Sequence, residues 1–418
     1  MAHAGGPTLR EITVVSPEHY AKAGYPHEIW TRLRAEDPVH YFESCEKPFW
    51  AITKHADIIE ISRQPERFLN GPLLSIGIDP SDDPQRVFPP TLLNMDPPQH
   101  REFRDLVRRR FTRSSLERMR NDIEQIAGEV LDEVSTGDEF AEMDFVDRVS
   151  APVPIAVIAW MLGLPRSDWR KLFRWSNELI GADDPEYQLE GEDRRETARR
   201  SQLEVFEYFS KLLEDRRANP QDDLISAFVH GELSDGRKLD LGEVLSYCLI
   251  ILVAGNETTR NATSGGMLAF IEHPDQWRKL RDDPSLMKPA VEEILRWTSP
   301  VIHFARTATE DYELRGRKIR EGDLMALFYP SANRDEEIFD DPFEFRIDRN
   351  PNRHLAFGVG EHFCLGAHVA RTEIDVIFRH MLTRLGEIEL LAEPERLRSC
   401  LVGGLKHIPV RYRMSAAA

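Results

Sequence analysis

The stretch "HLAFGVGEHFCLGAHVARTE" occupies residues 354–373 and holds a single cysteine, Cys364. The other three cysteines, Cys45, Cys248 and Cys400, are scattered singly with no C-x-x-C pair. That spacing argues against both a zinc site and a disulfide framework. A free cysteine is most often just a small core hydrophobe, but the surroundings of Cys364 ask for more. Gly358 and Gly360 permit a tight, irregular strand end, and Gly366 permits close approach of a bulky group. The segment "CLGAHVARTEIDVIFRHMLTRL" predicts a helix. Unpaired N–H groups at its start would favour an anionic thiolate, either a nucleophile or a metal ligand. A nucleophile wants an accessible base and an open approach. Here Phe357 and Phe363 flank the sulfur with apolar bulk, which suits a thiolate capped by a large flat cofactor.

Outward from this stretch, the 418-residue chain is 41% hydrophobic and 30% charged, an ordinary soluble composition. Length alone suggests two or three domains. With no linker, internal repeat or low-complexity tract, one large domain over residues 1–418 is expected instead. The longest nearly apolar run, "APVPIAVIAWMLGLP" (151–165), contains three prolines. It is shorter than the roughly 20 residues that span a bilayer. The N-terminus lacks a basic-then-apolar layout, so a cytoplasmic protein, off the membrane, is expected. With 54 Lys and Arg against 72 Asp and Glu the net charge is −18, which disfavours nucleic-acid partners. "HREFRDLVRRRFTR" (100–113) is a basic exception.

Residues 48–62 read as a strand and then a helix. The proline-rich 71–98 segment reads as loop. From 99 to about 300 the pattern is mostly helical, interrupted by the polar 181–196 stretch, and strand-like runs return at 312–330 and near the C-terminus. "LSYCLIILVAGNETTRNATSGGMLAF" (245–270) predicts a long apolar helix carrying Gly255, Glu257 and Thr258 in its middle. "AVEEILRW" (290–297) sets Glu293 and Arg296 at i, i+3 on one helix face. The fold class is mainly α with small β-sheets.

Three of these motifs together resemble one family. Phe357, Gly360, Cys364 and Gly366 match F-x-x-G-x-x-x-C-x-G, the heme-ligand signature of the cytochrome P-450 monooxygenases. Glu293-x-x-Arg296 matches that family's E-x-x-R pair, and "AGNETT" (254–259) its oxygen-activating segment. The motifs stand in family order and the chain has the family's length. The resemblance implies the cytochrome P-450 fold and heme b with iron ligated by the Cys364 thiolate, a ligand that favours O–O cleavage. The heme-contacting positions it implies are Ala254, Gly255, Phe357, Gly358 and Gly366. His100, Arg104, Arg306 and His362 would serve as propionate partners. Small Ala254 and Gly255 would leave room for O2. Glu257 and Thr258 would relay protons. Glu293, Arg296 and an arginine of "FRIDRNP", Arg349 rather than Arg346, would lock the proximal side, and His354 reads as structural.

The basic run continues the propionate helix, so Arg108, Arg109, Arg110 and Arg113 are expected to form a redox-partner surface. Electrons would come from a ferredoxin and an NAD(P)H-dependent ferredoxin reductase, since the chain has no room for a fused donor domain. Ile250, Val253, Ala254, Val301, Ile302 and Val402, with parts of the 71–95 loop, are the expected distal pocket for a small lipophilic substrate. The flanking sequences resemble members that hydroxylate sterols, steroids or terpenoids. Two rivals are a peroxide-driven heme peroxygenase and a non-enzymatic heme sensor. The Glu257–Thr258 pair argues against both: a sensor has no need of proton delivery, and the peroxide-driven relatives lack this pair. A monomer is expected.

Overall fold

The computed structural model describes residues 14–77, 90–108 and 113–416. Its helices are α1 (Pro17–Ala23), α2 (His27–Glu36), α3 (His55–Ser62), α4 (Gln99–Arg108), α5 (Arg113–Glu133), α6 (Pro152–Met161) and α7 (Trp169–Ile180). They continue with α8 (Arg194–Ala218), α9 (Leu224–His230), α10 (Leu241–Glu272), α11 (Pro274–Asp282), α12 (Met287–Thr298), α13 (Tyr329–Ala332) and α14 (Ala367–Arg384).

The principal sheet has the order β1 (Val39–Phe42), β2 (Phe49–Ile52), β8 (Leu324–Phe328), β5 (His303–Ala308), β3 (Phe68–Leu69), with only the β2–β8 pair parallel. A second sheet places β12 (Pro409–Met414) between β4 (Ala141–Asp144) and β9 (Leu385–Leu390). Two-stranded pairs join β6 (Tyr312–Leu314) to β7 (Arg317–Ile319) and β10 (Glu395–Arg396) to β11 (Leu405–His407).

The centre is α10. Asp240 caps it and accepts from the Glu243 N–H at 2.8 Å, while the Glu243 carboxylate accepts from the Asp240 N–H at 2.8 Å. This reciprocal capping box satisfies two donors that the helix start leaves open. By length and composition α10 could cross a membrane. Here its flanks are taken up by α6, α7, α8, α12 and α14. The apolar 151–165 run becomes α6, whose Val153 to Ala159 are all buried, as a helix hydrophobic all round must be. The largest core cluster joins α5, α6, α10, α12 and α14. Two smaller ones pack on the principal sheet, around Trp30 and Phe328 and around Ile58 and Leu327. The 181–196 interruption separates α7 from α8.

Candidate active site

The Cys364 loop is fixed by its backbone. The Cys364 N–H donates to the Phe357 carbonyl at 2.9 Å, a hairpin-like closure. Gly358 and Gly360 take φ of +66° and +80°, which side chains rarely adopt. A Cβ on Gly360 would also lie 2.4 Å from the Ser62 carbonyl oxygen at the end of α3. Cys364 stands just before Gly366, the N-cap of α14, and is half-buried. Burial pushes its thiol up, and the Gly366 N–H, Arg104 and Arg371 only oppose that. The helix start therefore does not ionise the thiol by itself, and a bound cation is what would hold the thiolate form.

Both ends of this loop are pinned to α12. His354 Nε2 lies 2.9 Å from Glu292, and Arg371 of α14 donates to the same carboxylate at 2.7 and 2.9 Å. The Arg371 guanidinium sits 4.5 Å from the Phe357 ring centroid, a cation–π contact. Next to Glu292, Glu293 and Arg296 form a fully buried forked pair at 2.8 Å. Arg349 closes it from 3.2 Å. Arg346 offers only its backbone N–H to Glu293, at 2.9 Å, and sends its side chain toward Asp341. Arg296 also donates to the carbonyls of Asn333, Pro342 and Glu344. The charges are thus neutralised and their donors used, the condition under which burial of an ion pair is tolerable.

Four basic side chains from three separate segments converge beside the thiol. The His100 and His362 rings lie 4.0 Å apart, centroid to centroid. Arg104 donates to the Phe363 carbonyl at 2.6 Å. Buried Arg306 donates to its neighbour's carbonyl, Ala305, at 2.7 Å. Among the described residues no carboxylate forms an ion pair with Arg104 or Arg306. Glu361 is instead taken by Arg101, at 2.9 Å, and His100, at 3.4 Å. Burial, then His100, Arg306 and Arg104, push His362 down to about 2, and burial also lowers His100. The two arginines carry the formal charge, and burial disfavours the charged form of both histidines. Buried His362 Nε2 has no protein partner among the described residues, and apart from its own stretch of chain no described protein atom lies within 4 Å of where a Cβ on Gly366 would stand. An uncompensated guanidinium pair, an orphaned imidazole nitrogen and room at Gly366 fit a flat dianionic group lying on the sulfur.

On α10, Ile250, Ala254 and Thr258 keep partial exposure at i, i+4 spacing, with Val253 and Gly255 beside them. One helix face is therefore left open along the middle of an otherwise buried element. Thr258 Oγ1 donates back to the Ala254 carbonyl at 2.8 Å. Gly255 also meets α6. A Cβ there would lie 2.3 Å from Ile158 Cδ1, so α6 approaches closely at this glycine. Glu257 is buried, and its carboxylate faces Ser176, Asn256 and Arg260.

Val301 is half-buried and bridges to buried Val402. Ile302 does not join them. It is 0% exposed within the cluster of Trp30, Phe49 and Phe328. Adjacent residues of an extended segment face opposite sides, so Val301 and Ile302 could not both line one cavity. Of the pocket loop, residues 78–89 lie outside the described residues.

Helix α4 lies on the thiol loop through Arg101 and Arg104. Arg108 is exposed and pairs with Asp105 at 3.2 Å. Arg109 and Arg110 lie outside the described residues, and of Arg113 only the backbone is described, as the first residue of α5. Reading the sequence missed Arg371, Arg260, Ser176 and Asn177. Arg260 carried a signal, its i, i+3 spacing from Glu257. The α7 pair carried none.

The family model for cytochrome P450 matches residues 19–386. The chain is a cytochrome P450. It is 37% identical to a steroid C26-monooxygenase of Mycolicibacterium smegmatis, over 93% of this chain and 90% of that one. It is 35% identical to a linalool 8-monooxygenase of Pseudomonas putida, over 94% and 97%. Its structure superposes on that of a Mycobacterium marinum cytochrome P450 in complex with pseudoionone, with a TM-score of 0.88, 33% identity and coverage of 98% and 100%. This cytochrome P450 is a monooxygenase that hydroxylates lipophilic molecules. The family carries heme with thiolate-ligated iron, and its bacterial members generally draw electrons from a ferredoxin and its reductase.

Proposed function

We propose that residues 1–418 form one cytoplasmic P450 unit that binds heme b on Cys364 and hydroxylates a steroid or terpenoid at the end of an aliphatic chain. The observation that carries the heme placement is the convergence of Arg104, Arg306, His100 and His362 beside the Cys364 thiol, with no carboxylate ion-paired to either arginine among the described residues. When bound, the heme supplies a thiolate-ligated iron at which O2 is reduced and one oxygen passes to the substrate. The chain's residues do the rest. Arg104 and Arg306 would neutralise the propionates, and the histidines would donate N–H bonds to them. Gly366 and Arg371 would temper the sulfur's donor strength. Ile250, Val253, Ala254, Val301 and Val402 would exclude water and hold an apolar substrate. Thr258, with its hydroxyl on the open face of α10, and Glu257 behind it would deliver protons.

The chain-end reading rests on the relatives. Carbon 26 in steroid numbering ends the aliphatic side chain, and carbon 8 ends the acyclic chain of linalool. The exposed Arg108 with Arg109, Arg110 and Arg113 would steer an acidic ferredoxin toward the thiolate side, and its NAD(P)H-dependent reductase would supply the electrons. The test is an optical titration of the purified protein. Steroids with an intact side chain, steroids without one, and acyclic terpenoids are added in turn. A high-spin shift of the Soret band with chain-bearing ligands is expected. A shift only with steroids that lack the chain would overturn the chain-end reading.

A further inference from the structure

Glu257 is 1% exposed, yet the carboxylate is bound on every side. Oε1 accepts from Ser176 Oγ of α7 and from Asn256 Nδ2, each at 3.2 Å. Oε2 pairs with Arg260, one turn further along α10. The other end of that guanidinium, Nη1, donates to Asn177 Oδ1 of α7 at 2.6 Å. Two successive residues of α7 therefore clasp the acid and its counter-ion. None of the bonds to Glu257 comes from Thr258, whose hydroxyl is turned back to Ala254. Consecutive positions on a helix are about 100° apart, so the acid and the alcohol leave α10 in different directions.

The surroundings say what this arrangement does. Asn256 Oδ1 and Arg260 Nε are buried beside the pair without a protein partner, and buried polar atoms of this kind are commonly met by ordered water. Burial pushes Glu257 above the usual carboxylate range, while Arg260 and the Ser176 hydroxyl pull it back. Charged and titratable groups reach the pair from two other elements. Tyr187, in the loop between α7 and α8, acts on both Glu257 and Arg260. Asp147, on the π-helical turn Val146–Ser150, acts on Arg260. Glu178, the next residue of α7, is spent on Arg174, Arg200 and Ser201 and ties α7 to α8. Arg260 is the one formal cation within hydrogen-bond reach of the acid among the described residues.

We propose that Arg260, clasped by Asn177, is a positioning residue that holds Glu257 against α7 and governs when this acid can exchange its proton. The inference rests on the relay reading of Glu257 given above. Its test reads the carboxyl directly, by infrared titration of the purified heme-loaded protein, with the Glu257 band assigned by its loss in Glu257→Gln. Removing the adjacent positive charge disfavours the carboxylate form. In Arg260→Met the band's midpoint should therefore move to higher pH, and the pH dependence of the product-to-peroxide ratio should move with it. Arg260→Lys should return both toward the wild type. A midpoint unchanged in Arg260→Met would overturn the proposal. Should that variant not fold, Asn177→Ala decides: a smaller shift in the same direction supports the role, and no shift overturns it. If Glu257→Gln leaves the product-to-peroxide ratio untouched, the relay reading itself falls, and the inference with it. An altered ratio in Glu257→Gln with a fixed infrared midpoint removes only the role of Arg260.

Discussion

At Cys364 burial and ligation pull in opposite directions. The apolar surroundings keep the free thiol protonated, so its ionised form belongs to the ligated state. Replacing the sulfur by a neutral nitrogen donor removes the electron push that the chemistry needs. Cys364→His is expected to form no hydroxylated product even where heme is retained, as product and heme assays on one sample would show. Thr258 acts at a later point. Thr258→Ala should leave heme binding intact and raise peroxide release relative to product, and unchanged coupling would remove the residue from proton delivery. Both residues were legible because their types and neighbours are local in sequence. The clasp on Glu257 was not, since Ser176 and Asn177 lie some 80 residues away and nothing in their own stretch marks them. Ile302 was misplaced because motif position cannot say which side of an extended segment a residue faces.

The long central helix was plain from its apolar run, whereas its capping box and its neighbours were not. Where α10 crosses α6, a methyl group on Gly255 would force the Ile158 side chain to shift. Gly255→Ala should therefore destabilise by about 1–3 kcal/mol despite better helix propensity, the usual cost of overpacking. Truncating Ile158 to Val in the same chain should recover part of that loss, which denaturant unfolding of the two variants would measure. The basic run of residues 100–113 carries the second prediction at this scale. Charge reversal at Arg109 and Arg113 should slow reduction by ferredoxin, with the difference shrinking as salt rises. Equal rates in stopped-flow reduction would return the run to a merely solvated basic face.

Across the whole molecule, the proximal side is held by two adjacent glutamates of α12. Glu293 gathers Arg296 and Arg349, and Arg296→Leu should cost about 3–5 kcal/mol by leaving buried charge uncompensated. Glu292 ties α12 to the Cys364 loop and to α14. Burial alone would raise it, but bonds from His354 and Arg371 win and hold it down to about 2. Its stabilisation is present above the unfolded carboxyl value near 4.5 and is lost as pH falls toward 2. Thermal stability should drop across that window, less steeply in Glu292→Gln. The i, i+3 spacing of Glu293 and Arg296 was readable on one helix face, and so was the helical class of the chain. That His100, Arg306 and His362 meet came only from family resemblance, because no local pattern brings together segments this far apart. The central claim is that Cys364 carries the heme iron. The most direct measurement is the optical spectrum of the reduced, carbon monoxide-bound protein, wild type beside Cys364→Ser. The account predicts a heme-thiolate Soret band in the wild type and its loss in the variant. A thiolate band that persists in Cys364→Ser would contradict it.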